Sequence, residues 1–437
     1  MKQWKKVCAA VCCAGMLSGC SFISVGDELL QVPKPSASYL QLQKELDKNL
    51  SDTVTYTAPQ SGQYRNSVIF EDIDADGSEE SFAFLRDSVS GKITVYAYRM
   101  VDERYELIGS IDGNGTALDS VAFLDMPESG GKGMILTWKL VGEGSKGLTV
   151  CALDDNGGLK DVLNAECSDY TACDLDQDGG DELFTVRYSM TDRNTAQVYD
   201  YNGEKMEMIS QIDASQDIKT VAKMRSGYID SDTVGVFVDN KFDTDVGMQT
   251  DIYMLNDRSL VNLAISDNTY RPIALYYSED VNRDAIIEVP IAKEMKGYET
   301  AQPAEKQWML DWYRYSLSKP AERICTTYRS STEMWEITLT DAWRKYVTVK
   351  NVSSAETGVS QTVFYEHRED SEDVPLLTIL VYTGSNHKTA AASSGVVKLG
   401  STDTATYAAR IENSDLKLSV TAEQVKKMFR ILLSSWN

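Results

Sequence analysis

Two histidines in 437 residues are few for proton-shuttling or zinc-binding constellations. His367 in "EHRED" and His387 in "SNHKT" both stand in polar surroundings expected of exposed loops. Basic charge is also scarce, with 43 lysines and arginines against 66 acids and a net charge of -23. That balance argues against nucleic acid as a partner and against adsorption to anionic polymers, while it draws in divalent cations. Beyond residue 20 no long apolar run exists, so no membrane-spanning helix is expected there. Of eight cysteines, four fall in the first 20 residues. The rest, Cys151, Cys167, Cys173 and Cys325, lack C-x-x-C spacing; they read as buried thiols, with two disulfides as the alternative.

What the chain does have begins at its start. Lys2, Lys5 and Lys6 form a basic head, Val7 to Met16 an apolar core too short to span a bilayer, and Leu17-Ser18-Gly19-Cys20 follows. Residues 1–19 therefore read as a signal peptide. The ending resembles the bacterial lipobox, which implies cleavage before Cys20, a lipid on that residue, and an extracytoplasmic protein held to the membrane at the cell surface. Loss of three lysines with the signal would take the net charge to about -26.

Residues 20–63 are expected to be a tether carrying a short helix, in which Tyr39, Leu40, Leu42 and Leu46 share one face. Residues 64–330 repeat. "TVYAYRMVDERYELIGSI", "TVCALDDNGGLKDVLNA", "QVYDYNGEKMEMISQI" and "DIYMLNDRSLVNLAI" align on Val95-Tyr96, Val150-Cys151, Val198-Tyr199 and Ile252-Tyr253. Each is preceded by a further strand pair, and a fifth, less regular copy opens at "YYSEDVNRDAIIEVPI". Four short strands in about 50 residues is the size of a propeller blade, so the expectation is a mainly β protein with a β-propeller of about five four-stranded blades. Tandem sandwiches are the competing architecture. Residues 331–437 read as a separate small α+β domain, closed by a helix with a Thr421 to Gln424 capping box and with Val425, Met428, Phe429 and Leu432 on one side.

Within the repeats an acidic frame, D-x-[DN]-x-D-x-x-x-E, occurs three times. Its members are Asp72, Asp74, Asp76 and Glu80; Asp174, Asp176, Asp178 and Glu182; and Asp280, Asn282, Asp284 and Glu288. Oxygen ligands at alternate positions of a tight loop converge on one point, a geometry that fits a hard cation such as calcium. An EF-hand is excluded, because its twelfth position holds Ala83 or Thr185 and strands rather than helices flank the loop. The frame resembles instead the calcium loop of FG-GAP/VCBS-type repeats, found in propellers between the first two strands of a blade. That resemblance covers only the repeat region, and it implies that all twelve residues are metal ligands. The third copy departs from it at Asn282 and at Ala285, where glycine is usual.

Catalytic chemistry is harder to find. "GEGSKG" at residues 142–147 matches G-x-G-x-x-G, but a strand follows it, so it reads as a hairpin loop. In "QWMLDWYRYS", Trp308 and Trp312 lie on one strand face and Tyr313 and Tyr315 on the other; packing is the first account of them and sugar stacking the second. No carboxylate pair stands out among so many acids. The sequence thus points to an anchored, calcium-stabilised binding or scaffolding module with a glycan or protein ligand. The alternatives are a secreted glycan-active or cell-wall-active enzyme and an accessory subunit of a surface complex.

Overall fold

The computed structural model describes residues 37–432 except 128–129, 143, 243–246, 265–268, 272–275, 303–304, 355–357, 394–395 and 413–415. The signal segment and Cys20 lie outside the described residues. Among the described residues twenty-seven strands form six antiparallel sheets, accompanied by four short helices. Among the described residues no helix is long and apolar enough to cross a membrane.

The first four sheets are meanders laid down in chain order. Sheet one holds Val68–Glu71, Glu80–Asp87, Ile93–Val101 and Arg104–Asp112. Sheet two runs from Ala117–Met126 to Leu159–Cys167, sheet three from Asp169–Cys173 through Glu182–Arg187 and Thr195–Tyr201 to Met206–Asp213, and sheet four from Ile218–Tyr228 to Ser259–Asn262. All four expected anchor pairs fall on the third strand of their sheets. In sheets one, two and three a bulge interrupts the pairing of third and fourth strands, within the expected anchor pairs at Val150/Cys151 and Val198/Tyr199 but two residues beyond Val95-Tyr96 in sheet one, at Ala97/Tyr98. The second strands are apolar runs buried on both faces; in sheet one, Phe82 and Phe84 face sheet two while Ala83 is covered by Leu42 and Leu46 of the N-terminal helix. Outer strands such as Arg104–Asp112 alternate with solvent.

Each sheet shares a buried core with the next. Phe84 and Val95 meet Trp138 and Leu136; Leu148 and Val150 meet Leu183 and Tyr199; Phe184 and Val198 meet Val236 and Tyr253; Phe237 and Ile252 meet Ile287 and Val289. The stack is therefore serial, as in repeat proteins whose units bury their faces only on neighbours. Among the described residues no buried cluster joins sheet one to sheet five or six.

Three expectations are corrected at the edges of the repeat. The segment read as tether contributes Val54–Tyr56, which pairs with the far end of Glu80–Asp87. Its helix, Ala37–Leu46, buries Leu42 and Leu46 against Ala83 and Tyr98, but Leu40 faces outward at 56% exposure. The expected boundary at residue 331 falls inside a sheet. Sheet five holds Val289–Glu294, Trp308–Arg314, Glu322–Ser330, Trp335–Leu339 and, from the chain end, Phe429–Ile431. The closing helix stops at Met428 because Phe429 to Ile431 pair with Ile337 to Trp335. Sheet six spans Val347–Ser354 to Ala405–Ile411 and shares the largest buried cluster with sheet five, where Met309, Tyr328 and Trp335 pack on Val349, Phe364 and Ile379. Thr421 and Gln424 form the expected capping box.

Candidate metal centres

The three acidic loops adopt one backbone. Positive φ recurs at the fourth position, in Ala75, Gln177 and Arg283 (57°, 64°, 66°), and at the sixth, in Gly77, Gly179 and Ala285 (90°, 98°, 70°). Ala285 thus bears a left-handed conformation that glycine tolerates without strain. The first carboxylate of each frame accepts the sixth-position amide: Gly77 N to Asp72 Oδ2 at 3.0 Å, Gly179 N to Asp174 Oδ2 at 3.1 Å and Ala285 N to Asp280 Oδ2 at 2.9 Å. The closing glutamate folds back from the next strand onto the second-position amide, from Ile73 to Glu80, Leu175 to Glu182 and Val281 to Glu288, at 3.2, 2.7 and 3.1 Å. All three glutamates are buried.

Convergence differs between copies. Oxygens of Asp72, Asp74 and Glu80 all lie within 4.8 Å of one another, as do those of Asp174, Asp176 and Glu182. Asp76 and Asp178 stand outside these groups and instead accept the amides of Ser78 and Gly180. No such group forms at Asp280, Asn282, Asp284 and Glu288 among the described residues. In both converging loops one oxygen, Asp72 Oδ1 or Asp174 Oδ1, is buried with no hydrogen-bond partner. A buried carboxylate oxygen without a partner, inside a group of converging carboxylates, is a place that could hold a cation.

Arginines divide the loops further. Arg99 reaches Glu80 Oε1 with Nε at 3.0 Å and Asp74 Oδ2 with Nη2 at 2.5 Å. Arg314 Nη2 reaches Glu288 Oε1 at 2.8 Å and Asp284 Oδ2 at 2.5 Å. Among the described residues no arginine or lysine pairs with a frame carboxylate of the second loop. There burial, with Asp176 and Asp200 adding repulsion, pushes the Glu182 carboxyl up to about 8. Burial and its acidic neighbours also raise Asp176. Glu80 and Glu288 are raised by burial too, but their arginines oppose the effect. Neither arginine was singled out by the sequence reading. The signal lies in the residue after the bulge tyrosine, Tyr98-Arg99 and Tyr313-Arg314 against Tyr199-Asp200.

The other sequence candidates fall elsewhere. His367 Nδ1 lies 3.0 Å from Asp373, and His387, expected to be exposed, is buried with Nδ1 2.7 Å from Thr406 Oγ1. The helix His387–Ser393 turns it inward. Trp312 is fully buried, donates to Thr327 Oγ1 at 2.9 Å and lies under Arg329, so it packs rather than presents a ring to sugars. Cys151, Cys167, Cys173 and Cys325 are free thiols. Gly142 and Gly144 lie in the hairpin between Gly131–Lys139 and Lys146–Leu153. An open groove of about 790 Å³, containing none of the acidic-loop residues, is lined by Glu333, Ser360, His387, Asp403 and Tyr407 among others. Glu333 is held there by Ser360 Oγ and, at 2.8 Å, by Trp335 Nε1.

No family model and no curated protein matches the chain. Among solved structures, a protein of Lactobacillus plantarum is similar over 73% of this chain and 86% of its own, at 10% identity and a TM-score of 0.30. The exotype rhamnogalacturonan lyase YesX is similar over 74% of this chain and 56% of its own, at 12% identity and a TM-score of 0.24.

Proposed function

We propose that the protein is a membrane-anchored extracytoplasmic lipoprotein whose repeat region is a calcium-stabilised β-propeller serving as a binding or scaffolding module. The observation that carries the calcium reading is the pair of orphaned buried oxygens, Asp72 Oδ1 and Asp174 Oδ1, each within a converging carboxylate cluster. Asp72, Asp74 and Glu80, and Asp174, Asp176 and Glu182, would hold the ions. Calcium would supply charge neutralisation and a cross-link between a loop and the strand that follows it. The loops also touch the neighbouring sheets, since Lys132 donates its amide to Ile73 O and Asp181 its amide to Asp125 O, both at 2.8 Å. Order in a loop is thereby passed to the joint between two sheets. Four-stranded meanders sharing cores in series support blades of a propeller, with sheets one to five as the blades. The anchor on Cys20 rests on the lipobox resemblance alone.

The groove beside Glu333 favours a second reading, that of a glycan-binding or glycan-active protein. Its lining of carboxylates and hydroxyls, with no lysine or arginine among the described residues, suits neutral polyhydroxylated ligands rather than anions. A glycan and cell-wall fragment binding screen on protein lacking residues 1–20, repeated with Glu333→Gln, separates the readings. Binding lost in that variant supports the groove, and no binding to any fragment leaves scaffolding. The calcium reading is tested separately, by elemental analysis of protein dialysed against calcium; absence of bound calcium would refute it.

A further inference from the structure

One position decides how the three loops differ. Strand pairing aligns Ser81 with Tyr98, Leu183 with Tyr199 and Val289 with Tyr313. Continuing each register by one residue sets Arg99 opposite Glu80, Asp200 opposite Glu182 and Arg314 opposite Glu288. In each copy this residue directly follows a bulge in its strand's pairing with the next strand. The same place in the fold therefore holds a guanidinium twice and a carboxylate once.

Resting on the calcium reading above, we infer that this position is a charge selector: the guanidinium stands in for the metal at the third loop, competes with it at the first, and is replaced at the second by an acid that makes that loop the principal calcium site.

The contacts fit such a ranking. At the third loop Arg314 bridges Asp284 and Glu288, the frame has lost an acid at Asn282, and Asp280 keeps no orphaned oxygen, since its two oxygens accept the amides of Asp284 and Ala285. Three carboxylates there face one guanidinium. At the first loop Arg99 bridges Asp74 and Glu80, but Asp72 Oδ1 stays unpartnered, so four carboxylates face one guanidinium that satisfies only part of the cage. Arg99 is also pinned from behind. A Cβ on Gly157, in the hairpin turn of sheet two, would lie 2.5 Å from its Nη1. At the second loop Asp174, Asp176, Asp178, Glu182 and Asp200 make five carboxylates. Arg258, in the turn of sheet four, pairs with Asp200 at 2.8 Å, but it is 60% exposed and its ion pair is with Asp200, outside the loop. A screened surface partner of this kind offsets little of the charge. The second loop thus combines an orphaned oxygen with the least compensated charge, and the tethered cations elsewhere leave less for a metal to gain.

The test is calcium titration by isothermal calorimetry on the full-length protein stripped of metal, in four forms. Wild type should show one tight site. Asp200→Arg should weaken that site by about 100-fold or more, and Asp200→Asn by about tenfold, as expected for reversing or removing one nearby charge. Arg99→Gln should add a second tight site or tighten a weak one by about tenfold. Melting without calcium is the control for folding. Asp200→Arg should melt no lower than wild type, because it gives the second loop the compensation that the first already has. A wild type that binds no calcium overturns the parent reading. If wild type binds calcium tightly but Asp200→Arg keeps the site and Arg99→Gln gains nothing, the selector is refuted while the calcium reading stands.

Discussion

Removing calcium should make this protein's stability fall as pH rises from weakly acidic to weakly basic, the reverse of ordinary acid denaturation. Glu182 is 1% exposed, and in the metal-free fold burial with repulsion from Asp176 and Asp200 pushes its carboxyl up to about 8, from 4.5. A carboxyl whose folded pKa is raised binds more protons in the folded than in the unfolded state. Its full contribution is therefore present below about pH 4.5 and is lost as pH climbs to about 8, a change of at most about 5 kcal/mol. Asp176, Asp181, Glu80 and Glu288 are raised as well and add the same sign. Asp87, Asp112, Asp154, Asp284, Asp311 and Asp373 are lowered and act oppositely, but their contribution is complete above about pH 4 and leaves the window clear. Calcium holds the Glu182 carboxylate in its charged form and should flatten the profile. The assay is thermal melting of metal-stripped protein across about pH 5 to 8, with and without calcium, and the expected fall without calcium is about 5 °C. A metal-free melting temperature that stays level or rises over that range would refute the reasoning, as would an unchanged slope in Glu182→Gln.

Other outcomes follow from the same contacts. Asp176→Ala should remove part of the calcium-dependent rise in melting temperature, whereas Asp125→Ala, on the exposed edge of sheet two, should keep all of it. Gly131→Ala would set a Cβ 2.0 Å from Ile73 O and should destabilise the joint between sheets one and two by about 1–3 kcal/mol, read by denaturant unfolding. Residues 331–437 expressed alone should show no cooperative thermal transition, because Trp335–Leu339 would lose Glu322–Ser330 and the core would lose Met295, Met309 and Tyr328. Cys20→Ala should abolish lipid labelling in cells; normal labelling would remove the anchor.

Legibility in the sequence followed the range of the interaction involved. The anchor pairs, the meanders and the loop frame are local patterns of strand period and turn chemistry, and Val198-Tyr199 or "DLDQDGGDE" reads them directly. The capping box at Thr421 is local too. The domain boundary was misplaced because Phe429–Ile431 returns about ninety residues later to pair with Trp335–Leu339, and a helical periodicity through Phe429 hides that strand. His387 sits in a segment too polar to announce a buried helix. At the acidic loops the shared frame was legible, although only Asp72, Asp74 and Glu80, and Asp174, Asp176 and Glu182, converge; Arg99, Asp200 and Arg314 were not legible, because each lies on the strand after next and meets its loop only through sheet register.

The most direct test of the central claim is a crystal structure of calcium-soaked protein, with anomalous scattering collected to identify the ion. The account expects a calcium peak at the second loop, with oxygens of Asp174, Asp176 and Glu182 at about 2.3–2.6 Å and Asp174 Oδ1 among them. Saturating calcium with no anomalous peak between those three carboxylates would contradict it.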